Sequence, residues 1–205
     1  MRIIGGTAAG LLLKVPKGFD VRPTPDLVKQ ALFNSLGARV VGARVLELFA
    51  GSGALGLECL SRGAAQVVSV EKANRHARMI RENLEAIHLD PKRFDLRVQD
   101  AFQAIAQLAE ASRQFDLVLA DPPYGEKNVG RRSTSFAQQL LDDARLPSLI
   151  APDGLLVIGH TKRDTLTVPA AWAEVKMLKH GDSVIRFFDK GDRLSLTADV
   201  ADERG

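Results

Sequence analysis

From Arg44 onward, short apolar runs alternate with longer stretches of helical periodicity. The runs cover residues 45–49, 67–70, 94–98, 117–120 and 155–159, and the intervening 54–62, 73–87, 101–111 and 136–150 read as helices. Runs this short and continuously apolar suit strands buried on both faces, and strand-helix-strand alternation predicts a parallel sheet covered by helices on both sides. The pattern changes at the end, where 174–179 and 183–188, divided by His180-Gly181-Asp182, predict a hairpin that adds an antiparallel edge.

Before this alternating region, two apolar stretches, Arg2-Ile3-Ile4 and Leu11-Leu12-Leu13-Lys14-Val15, flank a glycine-rich hexapeptide and predict a β-hairpin or irregular two-strand ribbon. Arg22-Pro23-Thr24-Pro25 then breaks the chain. Thr24 suits the cap of a helix starting at Pro25, whose apolar face carries Leu27, Val28, Ala31, Leu32 and Leu36. The predicted units are an N-terminal hairpin extension at 1–22, one α/β domain at 23–190 and a polar tail at 191–205.

Acids sit where the runs end, and open parallel sheets bind ligands at the carboxyl edge. Glu47 precedes the turn Phe49-Ala50-Gly51-Ser52-Gly53, followed by Ala54-Leu55-Gly56. Its glycines permit a tight turn and close approach to a ligand. A glycine turn alone fits NAD, FAD or S-adenosyl-L-methionine. Glu71, next to Lys72 and about 20 residues beyond the glycines, suits the two hydroxyls of a ribose. Asp100, with Ala101 after it, suits an adenine amino group. Glu47 discriminates further, because an acid there repels a pyrophosphate and favours a positive amino group.

Asp121-Pro122-Pro123-Tyr124 closes the fourth run. The prolines lack N–H donors and stiffen the peptide, so carboxylate and carbonyl oxygens form a cluster of acceptors. Such a cluster grips both hydrogens of an exocyclic amine, and Tyr124 can stack on the base that bears it. Alone, Asp-Pro-Pro is equally an ordinary strand-ending turn; the three preceding acids favour the chemical reading.

Charge narrows the partners. The chain has 205 residues and a formal net charge of only +3. However, Arg2, Lys14, Lys17, Arg22, Lys29 and Arg39 face just Asp20 and Asp26 within the first 40 residues. Lys127, Arg131 and Arg132 follow Tyr124 closely. Basic groups beside an amine-gripping site suit a polyanion. One cysteine, Cys59, lies among helical leucines and reads as a buried thiol, and four scattered histidines give no metal-ligand spacing. No apolar run reaches membrane-span length and no secretory signal precedes the domain, which implies a cytoplasmic protein.

Glu47 through Gly53, Glu71, Asp100 and Asp121 through Tyr124, in this order, resemble class I S-adenosylmethionine-dependent methyltransferases acting on exocyclic amines. Arg2-Ile3-Ile4-Gly5-Gly6, Arg22-Pro23-Thr24, Leu32-Phe33-Asn34 and residues 46–56 resemble more narrowly the bacterial RsmD family. The resemblance implies a Rossmann-like fold with a mostly parallel seven-stranded sheet. It also implies S-adenosyl-L-methionine as cofactor, no metal, and methylation of a guanine N2 in small-subunit (16S) ribosomal RNA, free or in the assembling subunit, by a monomer. On this reading Asp121, Pro122, Pro123 and Tyr124 are catalytic. Glu47, Phe49, Ala50, Gly51, Ser52, Gly53, Glu71, Lys72, Asp100, Ala101 and Thr24 hold the cofactor, while Arg2, Lys14, Arg22, Lys127, Arg131 and Arg132 meet RNA. One departure stands out: Thr7-Ala8-Ala9-Gly10-Leu11-Leu12 stands where the family usually has an aromatic or basic residue, then Arg-Gly and further basic residues. The alternatives are a DNA adenine-N6 or cytosine-N4 methyltransferase, for which little chain remains to form a target-recognition region, and a nicotinamide-dependent oxidoreductase, which leaves Glu47 and Asp121 through Tyr124 unexplained.

Overall fold

The predicted apolar runs assemble into one seven-stranded sheet in the computed structural model, which describes residues 1–15, 26–124, 127–128 and 131–191. Parallel strands β1 (Arg44–Leu48), β2 (Gln66–Glu71), β3 (Phe94–Val98), β4 (Phe115–Ala120) and β5 (Ile150–Thr161) are joined by β6 (Trp172–His180) and β7 (Ser183–Lys190), in the order β3-β2-β1-β4-β5-β7-β6. β7 pairs antiparallel with both β5 and β6. Arg22 and Thr24 lie outside the described residues.

The helices are α1 (Asp26–Leu36), α2 (Ala54–Ser61), α3 (Asn74–Ala86), α4 (Ala101–Glu110) and α5 (Phe136–Asp142). Side chains alternate across the sheet, so Val45, Leu117 and Leu119 share one core with α1, α2 and α3. Leu46, Leu48, Val118 and Ala120 share the other with α4 and α5. With both faces covered, the first strands have no reason to alternate apolar and polar residues. β1 lies between β2 and β4, so the order reverses beside it and opens a crevice at the carboxyl ends of these strands.

Two local expectations change. The helix expected over 136–150 stops at Asp142, because Asp143 is extended and its carboxylate accepts the Arg145 N–H at 2.9 Å. Pro147 then falls in a separate 3-10 turn, Leu146–Leu149, and Ile150 already pairs with Phe115. The N-terminal hairpin is the irregular form, with one antiparallel bridge between Arg2 and Leu12. Its Ile4 and Gly5 N–H groups donate to the Glu58 carboxylate, each at 2.8 Å, instead of to a facing strand.

Glu58 on α2 is therefore a hub. It also pairs with Lys29 at 3.0 Å, both side chains being fully buried, and with Arg62 at 2.8 Å. Four donors around one carboxylate satisfy its lone pairs, as a buried charge requires. Ile3, Ala8 and Leu13 of this segment lie in the first core, so the N-terminal region packs on the sheet domain. Cys59 is buried on the same helix, and burial pushes its thiol well above its ordinary range. Among the described residues, no helix is long and apolar enough to cross a membrane, and no cluster of acids, histidines or cysteine is arranged to hold a metal.

Candidate active site

A cavity of about 620 Å³ opens at the carboxyl ends of β1, β2, β3 and β4. One wall is the turn after β1, where Gly51 and Gly53 adopt positive φ of 58° and 74° that only glycine takes at little cost. Phe49 also has a positive φ, 58°, a strain of roughly 1–3 kcal/mol in a bulky residue. Its ring is held in a cluster with Phe136 and Phe102, centroids 5.5 and 6.2 Å away. The strained bend lets Phe49, Ala50, Gly51 and Ser52 all line the cavity.

Glu71 ends β2 with both oxygens held: Gly51 N–H donates to Oε2 and Ala73 N–H to Oε1, each at 2.7 Å. His76 Nδ1 lies 3.5 Å from Oε1. The carboxylate is thus fixed against the glycine turn before any ligand arrives, with acceptor capacity left over. Asp100 caps α4, accepting the Phe102 N–H at 3.0 Å, and pairs with Lys72 at 3.3 Å. Lys72, Asp100 and Ala101 complete this wall.

Glu47, expected at the cofactor, has its carboxylate already engaged by the protein. It borders the cavity, but its carboxylate turns toward the sheet and α2, accepting the Gly56 N–H at 2.9 Å and the Ser69 hydroxyl at 2.6 Å. A Cβ on Gly56 would stand 2.5 Å from Glu47 Oε2, so a glycine is needed there for the acid to fit. Burial raises the Glu47 pKa to about 7, against the opposing pull of its hydrogen bonds to Ser69 and to the Gly56 and Leu55 backbone. Position along the strand was readable in sequence; the direction of the side chain depended on Ser69 and Gly56 coming within reach.

A further wall is Asp121, Pro122, Pro123 and Tyr124. Asp121 and Tyr124 also line a second, much smaller cavity of about 20 Å³ on the far side, together with Leu55, Leu32 of α1, Gly159 and Ser183. The Asp121 carboxylate lies directly over Gly159. Tyr124 is 43% exposed, and its hydroxyl is 3.4 Å from Ser183 Oγ. Asp121 and Tyr124 thus stand between a large cleft, which the two prolines also line, and a tight pocket. Such an arrangement can hold an amine on one side toward an electrophile on the other.

Residues not singled out in sequence also contribute: Met1, His76, Gln99 and Phe136 line the large cavity. Gln99 Nε2 is buried and makes no hydrogen bond within the protein. Only the adjacency of Gln99 to Asp100 and the Ser135 cap before Phe136 signalled them. Of the expected RNA-contacting residues, Lys127 and Arg131 are exposed on the stretch between Tyr124 and Phe136, where Arg132 pairs with Asp142 at 2.6 Å. Arg2 and Lys14 lie on the N-terminal segment and pair with Asp26 at 3.4 Å and Glu82 at 2.9 Å. The basic side chains thus fall into two groups, one on each of these segments.

The strand order, the glycine turn braced by Glu71, and the acid-Pro-Pro-aromatic wall define a class I methyltransferase. The family model described as Conserved hypothetical protein 95 matches residues 1–189, and the chain belongs to that family, as its resemblance to RsmD implied. Ribosomal RNA small subunit methyltransferase D of Escherichia coli K12 is 33% identical, over 93% of this chain and 90% of that protein. A solved structure of a hypothetical protein from Thermus thermophilus superposes with a TM-score of 0.75 at 29% identity, covering 92% of this chain and 99% of that one. The Thermus thermophilus 16S rRNA N2 methyltransferase RsmC, solved with AdoMet and guanosine, gives a TM-score of 0.64 at 25% identity, covering 88% of this chain and 46% of that one.

Proposed function

We propose that this protein transfers a methyl group from S-adenosyl-L-methionine to the exocyclic N2 amine of a guanine in small-subunit ribosomal RNA, free or in the assembling subunit, in the cytoplasm. The single observation that carries this is the Asp121-Pro122-Pro123-Tyr124 wall of the large cavity, whose Asp121 and Tyr124 also line the small one. The names of the relatives support the substrate, since both the Escherichia coli and RsmC proteins are small-subunit rRNA methyltransferases.

The large cavity fits the cofactor: Glu71 is fixed to meet ribose hydroxyls, and Asp100 and Ala101 flank an adenine position. When bound, S-adenosyl-L-methionine supplies an electrophilic methyl group on a sulfonium. Asp121 and the Pro122 carbonyl accept the two N2 hydrogens and orient the nitrogen lone pair. Tyr124 stacks on a guanine turned out of its RNA context. Orientation of this kind contributes much of the rate in a transfer between two bound partners. Lys127 and Arg131 hold phosphates nearby.

Asp121→Ala tests the assignment. Methyl transfer to ribosomal RNA should fall below detection while calorimetric affinity for S-adenosylhomocysteine stays within a few-fold. Near-normal turnover would remove Asp121 from the mechanism.

A further inference from the structure

The N-terminal segment and the cofactor turn are far apart in sequence yet meet at one buried side chain. Asn83, on α3 and 1% exposed, touches both. Its Oδ1 accepts the Lys14 N–H at 2.7 Å and its Nδ2 donates to the Lys14 carbonyl at 2.9 Å, so the amide grips that residue as a neighbouring strand would. The second Nδ2 hydrogen goes to the Ser52 carbonyl at 3.0 Å, in the glycine turn that lines the large cavity. Every hydrogen of the amide is committed, and one rigid planar group makes all three bonds.

This geometry leaves little slack. If a ligand shifts Ser52, the Asn83 amide must move with it or lose a buried hydrogen bond, and Lys14 must follow. Lys14 also reaches Glu82, the residue beside Asn83, through its own ammonium at 2.9 Å, so backbone and side chain are pinned to the same turn of α3. The segment carries two of the basic residues expected to meet RNA, Arg2 and Lys14, and it borders the cofactor cavity directly through Met1. Its tip lacks basic residues (Thr7-Ala8-Ala9), which makes its placement, more than its charge, the property available for tuning RNA affinity.

We propose that Asn83 is a positioning residue that couples cofactor binding to RNA binding: an occupied glycine turn sets Lys14 and the N-terminal segment in the RNA-competent position, and bound RNA tightens the cofactor site by the same factor. The reciprocity follows from linkage. The inference rests on the ribosomal RNA reading above.

Two measurements decide it. The dissociation constant of S-adenosylhomocysteine is measured by calorimetry with and without a saturating fragment of small-subunit ribosomal RNA. The expected ratio is roughly five-fold or more in the native protein, within the usual range of coupling. In Asn83→Asp, which sets an acceptor against the Lys14 and Ser52 carbonyls, the ratio should collapse toward one. A merely structural role would weaken both constants and leave their ratio intact. The second measurement needs no variant: amide exchange at Lys14 should slow several-fold when S-adenosylhomocysteine is added without RNA. A ratio of one in the native protein, a ratio preserved in Asn83→Asp, or Lys14 exchange indifferent to the ligand overturns the proposal. RNA that fails to bind the native protein at all contradicts the substrate reading instead, and the Lys14 exchange then decides the coupling role alone.

Discussion

Adding one methyl group at Gly159 perturbs Asp121, the carboxylate proposed to orient the amine, while leaving the rest of the site in place. A Cβ built there lies 2.6 Å from Asp121 Oδ1 and 3.3 Å from its Cγ, but 3.7 Å from its Cα, an ordinary contact. Only the carboxylate must therefore give way, by about 0.8 Å if it is to reach normal van der Waals separation. Misplacement on the order of 1 Å costs about 100-fold in reactions that depend on alignment. Gly159→Ala should thus lower kcat by roughly 10- to 100-fold, or about 1.4–2.7 kcal/mol of barrier. Stability should hardly change: turning Asp121 off its rotamer costs about 0.5–1.5 kcal/mol, and the loss of unfolded-state freedom at a former glycine returns about 0.4–1 kcal/mol. Single-turnover methylation with saturating cofactor isolates the chemical step, with Tm and S-adenosylhomocysteine affinity as controls. A folded Gly159→Ala protein with native kcat would refute the reasoning, since Asp121 would then tolerate displacement.

Glu47→Gln should alter the pH dependence of stability. Burial raises the folded pKa of Glu47 to about 7 from an ordinary value of 4.5. Its contribution is therefore fully present below the unfolded value and is lost as pH rises through about 7, with a ceiling of about 3 kcal/mol. Urea unfolding between pH 5 and 8 should show the native protein weakening relative to Glu47→Gln; parallel curves would contradict the burial account. Glu71→Ala should weaken S-adenosylhomocysteine binding at least about ten-fold by calorimetry, since two hydrogen bonds to a charged group typically contribute this much or more; unchanged affinity removes the ribose assignment. Glu58→Ala strands the fully buried Lys29, which should cost about 3–5 kcal/mol in denaturant unfolding. A loss below about 1 kcal/mol would mean that Lys29 finds another partner.

The parallel strands and their helices were legible because period and length separate them, and the acids at strand ends pointed to the crevice. What escaped depended on encounters between distant residues. The Glu47 side chain direction follows from Ser69 and Gly56, which reach it only after β1, β2 and α2 have packed. The helix expected over 136–150 looked continuous in apolar spacing, yet Asp143 and Pro147 outweigh that pattern locally. The N-terminal ribbon gave no sign that its amides would be taken by Glu58, 53 and 54 residues away. Gln99 and Phe136 were hidden by their types, since an amide and a phenylalanine near a helix start have many ordinary uses.

The central proposal is that Asp121 and Pro122 aim a guanine N2 amine at a methyl donor. The most direct measurement incubates the protein with tritiated S-adenosyl-L-methionine and small-subunit ribosomal RNA, free and in particles, then separates the labelled nucleosides. Label in N2-methylguanosine, lost in Asp121→Ala, is the predicted result. Label at another base, in DNA alone, or undiminished in Asp121→Ala would contradict it.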